Sequence, residues 1–155
     1  MFDKATNIEL KRINRNNIYR TVIAQKKTSK QEIAYQLNLS LPTVTQNLNE
    51  LMEIGLVEEK GTFQSTGGRK AKIISSNPRA RVALGLDITR NHVNLVMVDL
   101  EASVLRFVRK RISFQADEKY FQTLKRMIHD MVKSVNVPPN QILGVGVSLP
   151  AIVGD

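Results

Sequence analysis

Apolar residues recur at helical spacing between residues 41 and 52 of the chain. Their separations of four, three and one residues predict a helix with one buried stripe, formed by Val44, Leu48, Leu51 and Met52. Ser40 is suited to the N-cap because its hydroxyl can accept a hydrogen bond from a free backbone N–H, and Pro42 falls in the first turn, where its missing N–H costs nothing. Gly55 supplies a residue that ends the helix.

A second helix is predicted directly before this one. Ser29 and Glu32 have the spacing of a capping box, and the apolar positions that follow face inward at Ile33, Ala34 and Leu37. Asn38 tolerates a left-handed backbone and ends the helix. The two helices are joined only by residues 38–40, which is typical of a helix-turn-helix.

The first 27 residues predict one broken helix or two consecutive helices. Thr6 is a plausible cap, and the apolar residues Ile18, Val22 and Ile23 should pack under the helix-turn-helix as a third helix. The outer face is basic, and we expect its cations to be solvated or to contact phosphates; they are Lys11, Arg12, Arg15 and Arg20.

The helix at residues 41–52 stands second in this helix-turn-helix, the position of a recognition helix. A β-hairpin is predicted after it. Residues 56–60 and 70–74 read as short strands, and the loop between them is rich in glycine and serine. Behind a helix-turn-helix such a hairpin is typical of a wing. Gly67 and Gly68 would let the backbone approach a phosphate closely while Arg69 reaches into a minor groove. The alternative is an ordinary solvated hairpin.

The recognition helix offers a polar, amide-rich face opposite its apolar stripe, with Thr43, Gln46, Asn47 and Glu50. Glutamine and asparagine pair bidentately with adenine in a major groove, so this face suits the reading of bases. The alternative is the solvated face of an amphipathic helix. The candidate DNA-binding residues are Ser40, Thr43, Thr45, Gln46, Asn47, Gly67, Gly68, Arg69 and Lys70.

Charge supports a polyanion partner for the front of the chain. The 155 residues carry 23 Lys and Arg against 14 Asp and Glu, a net charge of +9. Residues 1–81 hold 14 basic and 7 acidic side chains, whereas residues 82–155 hold 9 and 7. The chain has no cysteine, no apolar run long enough to span a membrane and no signal peptide, so we expect a cytoplasmic protein.

The periodicity changes after the loop at residues 75–78, which we take as the domain boundary. Near-continuous apolar runs at 82–88 and 92–98 predict strands of a sheet covered on both faces. A third strand is predicted at 104–114, then a helix capped by Asp117 with its apolar face at Phe121, Leu124, Ile128, Val132 and Val135, and a fourth strand at 142–148. The order β-β-β-α-β is that of an actin-like or ribonuclease-H-like α/β lobe.

Three motifs resemble the ROK family of repressors, open reading frames and sugar kinases, and in particular its xylose- and glucose-pathway repressors. They are the wing tip at residues 65–69, the strand and turn at 84–89, and the glycine-containing strand at 144–150. The resemblance covers essentially the whole chain. It implies a winged helix-turn-helix domain at 1–77 and a truncated N-terminal lobe of the actin-like domain at 78–155. It further implies a bacterial repressor of carbohydrate-utilisation genes that binds operator DNA as a homodimer or higher homo-oligomer and responds to a sugar or sugar derivative.

The chain departs from the pattern of the family's kinases. Their first hairpin carries glycines that close on ATP phosphates, whereas Asp87 is followed here by Ile-Thr-Arg-Asn. Asp87 is either a leftover ligand residue or a polar strand end. The parts that carry catalysis, sugar contacts and zinc in complete members would lie beyond Asp155, so we expect a fragment. We expect no catalytic, cofactor or metal site; the alternative function is a sugar kinase with a basic N-terminal extension.

Overall fold

The computed structural model describes residues 6–64 and 70–149, and the chain divides into two compact units, Met1–Asn77 and Pro78–Asp155. The first unit contains three helices, α1 (Asn7–Gln25), α2 (Lys30–Leu37) and α3 (Leu41–Glu53), followed by the antiparallel strands β1 (Val57–Thr62) and β2 (Lys72–Ser76). The second unit contains β3 (Val82–Ile88), β4 (His92–Asp99), β5 (Val104–Arg111), α4 (Glu118–Val135) and β6 (Ile142–Ser148).

The helices begin where side chains accept the free N–H groups of the first turn. Thr6 caps α1 in a complete capping box with Glu9. Because α1 runs unbroken for 19 residues, the prediction of one broken helix or two consecutive helices is wrong. The Ser29 hydroxyl accepts from the Glu32 N–H at 3.2 Å, and the Ser40 hydroxyl accepts from the Thr43 N–H at 3.3 Å. The predicted caps of α2 and α3 are therefore confirmed.

Two left-handed residues end α2 and α3. Asn38 has φ 51°, and the N–H of the next residue, Leu39, donates to the Ala34 carbonyl at 3.0 Å. Gly55 has φ 76°, and the Leu56 N–H donates back to the Leu51 carbonyl at 2.9 Å. Both turns use the last carbonyls of the helix, which would otherwise lack partners. They make the connections short enough to hold α2, α3 and β1 against one core.

The core of the first unit joins all three helices to the hairpin. Its buried residues are Ile18, Val22, Ile33, Val44, Leu48, Leu51, Val57 and Ile74. A pair of backbone hydrogen bonds between Thr28 and Ile74, at 3.0 and 2.8 Å, attaches the segment between α1 and α2 to β2. The hairpin is thereby fixed to the helices, as a winged helix-turn-helix requires.

The second unit is a four-stranded sheet with the order β5-β4-β3-β6. The β3–β4 and β4–β5 pairs are antiparallel, and β6 returns through α4 to lie parallel to β3. The predicted order β-β-β-α-β and the mixed α/β class are confirmed. Strand β5 ends at Arg111, three residues earlier than predicted, and the Phe114 ring instead makes an edge contact with Tyr120 at a centroid distance of 5.5 Å.

One face of this sheet packs against α4. The buried helix residues are Tyr120, Leu124, Met127 and Met131, and they face alternate buried positions of β3 and β4. The predicted stripe through Phe121 is rotated from the observed one, since Phe121 is 45% exposed. The expectation of a sheet covered on both faces is also not met within the described residues, where the intervening positions of β3 and β4 are half-buried. None of the helices in residues 6–64 and 70–149 is both long and apolar enough to cross a membrane.

Candidate nucleic-acid interface

Helix α3 presents a short uncharged surface beside its N-terminus. Gln46 is exposed, and Thr43 and Thr45 are partly exposed. The Ser40 hydroxyl lies 2.8 Å from the Thr43 hydroxyl and also accepts from the Thr43 N–H, so both side chains help to start the helix. Among the predicted contacts on α3, Gln46 is therefore the side chain most available to a partner.

Asn47 does not lie on this surface. Its side chain is 2% exposed, and its Nδ2 donates to the Thr43 carbonyl at 2.8 Å. Asn47 stands three residues after Val44 and four before Leu51, so helical geometry turns it toward the core. The prediction that Asn47 presents its amide to DNA is wrong for this reason.

Asn49 is an exposed amide that the sequence reasoning missed. It follows Gln46 by three residues on α3, and residues three apart share a face of a helix. The signal was present in the sequence, because the 3.6-residue period places Asn49 beside Gln46 and away from the apolar stripe. Asn49 takes the place of Asn47 among the candidate contacts.

Glu50 is held by two cations from α1. Lys11 Nζ lies 2.5 Å from Glu50 Oε1, and Arg15 Nη1 lies 3.3 Å from Oε2. The hydrogen bond from Lys11 is the main cause that lowers the pKa of the Glu50 carboxyl below its ordinary value of 4.5, and Arg15 adds to it. The basic face of α1 thus contributes two of its cations to an internal contact with α3.

Glu59 on β1 also holds two cations. Its Oε1 lies 2.9 Å from Lys30 Nζ, at the start of α2, and its Oε2 lies 2.6 Å from Lys72 Nζ, at the start of β2. The hydrogen bonds from Lys72 and then Lys30 lower the pKa of the Glu59 carboxyl below 4.5. This ion network ties α2 to both strands of the hairpin.

The loop end of the hairpin forms a basic concavity with the start of α2. Its volume is about 480 Å³, and it is lined by Lys30, Gln31, Thr62, Lys70, Ala71 and Lys72. Lys70 is exposed there. The predicted contacts Gly67, Gly68 and Arg69 lie outside the described residues, so of the predicted wing contacts Lys70 is the one with a described position.

The second unit has a concavity of about 670 Å³ on the face of its sheet opposite α4, lined by residues of all four strands. The Asn94 amide donates to Asp87 Oδ2 at 2.9 Å within it. The turn after β3 is closed by Thr89, whose N–H donates to the His92 carbonyl at 2.9 Å. Within residues 6–64 and 70–149, no three His, Asp or Glu side chains are grouped to hold a metal ion.

Comparisons with known proteins agree with the geometry of the first unit. A family model described as winged helix-turn-helix DNA-binding matches residues 11–58. The xylose repressor of Bacillus subtilis (strain 168) is 24% identical over 151 residues, which cover 97% of this chain and 39% of that protein. The DNA-binding transcriptional dual regulator NagC of Escherichia coli (strain K12) is 27% identical over 148 residues, which cover 95% of this chain and 36% of NagC.

A solved structure supports the fold of both units. The crystal structure described as a ROK family transcriptional regulator, a homolog of the E. coli MLC protein, superposes with a TM-score of 0.64 at 17% identity. It covers 93% of this chain and 37% of the compared one. The chain thus spans less than two fifths of the length of these relatives. Over nearly its whole length the chain therefore resembles part of these transcriptional regulators, with a winged helix-turn-helix followed by a mixed α/β sheet as in the ROK family structure.

Proposed function

We propose that this chain binds operator DNA through its first unit, as part of a repressor of carbohydrate-utilisation genes that is modulated by a sugar effector. The observation that carries the proposal is the exposed, uncharged end of α3, which a tight turn fixes against α2. In a helix-turn-helix this end of the second helix meets base edges in the major groove. The names of the xylose repressor and NagC agree with a regulatory role.

The contacts divide between α3 and the wing. Gln46 and Asn49 carry the amides that suit adenine, and Thr43 and Thr45 stand beside them. Arg69 would enter the minor groove next to the site, with Gly67 and Gly68 allowing close approach, and Lys70 would contact phosphate. A two-fold partner would place a second copy of α3 on a palindromic site, about one helical turn of DNA away.

The experiment selects duplexes from a random-sequence pool with the full chain and then measures their affinity by fluorescence anisotropy. We expect a shared consensus, bound about 10³-fold or more tightly than a scrambled duplex. Gln46→Ala should reduce the discrimination at one base position by about 1–3 kcal/mol, and Arg69→Ala should weaken binding by a similar amount. Gln36→Ala removes the same amide from an exposed position of α2 and should leave the base preference intact. Selection that yields no consensus would refute the proposal.

The geometry gives no support to the alternative of a sugar kinase. The Thr89 hydroxyl donates to the His92 carbonyl at 2.9 Å and accepts from the His92 N–H at 3.0 Å, so it is used in closing the turn. Asp87 is bonded to the Asn94 amide. We therefore propose that this unit has no kinase activity; phosphoryl transfer from ATP to a sugar by the full chain would overturn that proposal.

A further inference from the structure

Ion pairs withdraw a large part of the positive charge of the first unit. Glu50, Glu58 and Glu59 together hold five cations among the described residues, which are Lys11, Arg15, Lys30, Lys60 and Lys72. Cations bound to carboxylates already have a partner, so they release fewer counterions when the protein meets DNA. The formal charge of the unit therefore overstates its attraction to phosphate.

Glu59 is placed to control the basic concavity at the wing. It does not line the concavity, yet the two lysines that it binds, Lys30 and Lys72, do. The Glu59 side chain is 20% exposed, whereas that of Lys72 is 68% exposed. The Glu59 carboxylate is thus more sheltered than Lys72, and both lysines that it holds line the concavity where a phosphate would lie.

We propose that Glu59 is a specificity-determining residue of DNA binding, because it keeps Lys30 and Lys72 from contacting phosphates of arbitrary sequence. The inference rests on the proposed function. On a preferred duplex, base contacts fix where each phosphate lies, so freed lysines add little. On an arbitrary duplex the protein settles wherever its cations find phosphates. Freeing the two lysines therefore strengthens binding to arbitrary DNA more than binding to preferred DNA.

The neighbouring Glu58 provides a matched control. Glu58 lies on the same strand, and among the described residues it pairs with one cation, the 73% exposed Lys60, at 2.6 Å. Glu58→Gln and Glu59→Gln change the net charge by the same amount. The first frees Lys60, which does not line the concavity, whereas the second frees Lys30 and Lys72, which do, so a difference between the variants reports the release of lysines at the concavity. Glutamine keeps the size of the side chain but replaces one acceptor oxygen by an NH₂ donor. Circular dichroism of both variants checks that the helices are retained.

The test measures the affinity of the full chain for a scrambled duplex over a range of salt concentrations. For Glu59→Gln we expect a slope of log affinity against log salt that is steeper by about 1–2 than in Glu58→Gln, and affinity at 50 mM salt that is about 3- to 10-fold higher. The preference for the selected duplex should fall. A role confined to holding the fold would instead weaken binding to both duplexes and leave the slope unchanged.

Removal of Lys72 tests whether Glu59 keeps this lysine away from DNA or orients it toward a phosphate. If Glu59 keeps Lys72 away from DNA, then Lys72→Gln leaves the salt slope nearly unchanged in the wild type and lowers it by about 1 in the Glu59→Gln background. If Glu59 instead orients Lys72 toward a phosphate, the slope falls in the wild type, and the inference is overturned. Equal slopes in Glu59→Gln and Glu58→Gln overturn it as well. Wild-type chain that binds neither duplex refutes the proposed function itself, so the two failures are distinguishable.

Discussion

Replacement of Asn47 by leucine tests the burial of this side chain. Asn47 is enclosed by the helical core, its Nδ2 donates to the Thr43 carbonyl at 2.8 Å, and its Oδ1 has no hydrogen-bond partner among the described residues. Leucine has the same number of side-chain heavy atoms, branched at the same carbon, and no polar atoms. The change therefore removes one hydrogen bond and one unpartnered buried acceptor at the same time.

The net effect follows from the size of the opposing terms. Loss of the hydrogen bond to Thr43 costs about 0.5–1.5 kcal/mol, and removal of the unpartnered Oδ1 gains about 1–3 kcal/mol. Leucine is also the better helix former, by a few tenths of a kcal/mol. We expect Asn47→Leu to stabilise the first unit by about 0.5–1.5 kcal/mol.

Hydrogen exchange of peptides from α3 measures this free energy within the full chain. The control is Gln46→Leu, which makes the same chemical change at the adjacent, exposed position. Asn47→Leu should slow exchange and retain the base preference, whereas Gln46→Leu should leave exchange nearly unchanged and lose the preference. An effect of Asn47→Leu on exchange no larger than that of Gln46→Leu, or loss of its base preference, would refute the burial of the amide.

Two further changes test the core and the ion network of the first unit. Leu48 is fully buried in the centre of α3, so Leu48→Ala should destabilise the unit by about 2–5 kcal/mol in the same exchange experiment; a loss below about 1 kcal/mol would contradict the packing. The pKa of the Glu59 carboxyl is lowered, so its stabilisation is fully present above its ordinary value of 4.5 and is lost as the pH falls through the folded pKa. Lowering the pH below about 4.5 should therefore destabilise the wild type more than Glu59→Gln, by less than about 1 kcal/mol, as measured by thermal unfolding. Parallel pH profiles of the two proteins would refute the ion network.

The ends of the helices could be predicted because they depend on local chemistry. A serine that accepts from an N–H three residues away, or an asparagine or glycine in a left-handed turn, needs no distant partner. Ser40, Asn38 and Gly55 all act as predicted. The capping box of Thr6 is local in the same way. Asn38 and Ser40 therefore suffice to predict the short connection between α2 and α3.

The prediction for Asn47 is wrong because it follows the polarity of the side chain and not the helical period. Residues 44, 47, 48 and 51 have the i, i+3, i+4, i+7 spacing of a single helix face, so the period places residue 47 with the core. The polarity of the side chain alone would place residue 47 on the surface. Helix α4 shows the converse difficulty, because two overlapping apolar stripes both have helical spacing and only packing on the sheet selects Tyr120, Leu124, Met127 and Met131.

The ion pairs of the first unit could not be predicted from sequence. Arg15 and Glu50 are 35 residues apart, and Glu59 and Lys72 are 13 apart. From composition alone, several other lysines and arginines could equally form these ion pairs. The packing of α1 on α3 and of β1 on β2 determines which of them meet a carboxylate. A count of charges along the chain therefore predicts the sign of the partner but not the charge that remains available to it.

The distribution of charge separates affinity from discrimination in the proposed complex. Helix α3 contains no lysine or arginine, and the exposed side chains proposed to read bases are uncharged. Hydrogen bonds from uncharged groups release no condensed counterions, whereas contacts between cations and phosphates do, so salt acts mainly on the latter. Attraction to DNA must then come from α1, the start of α2 and the wing, where Glu50 and Glu59 hold four of the cations. In the proposed complex these carboxylates limit the sequence-independent attraction to phosphates. The modest energies of a few amide contacts on α3 are then large enough, compared with that attraction, to determine where the protein binds.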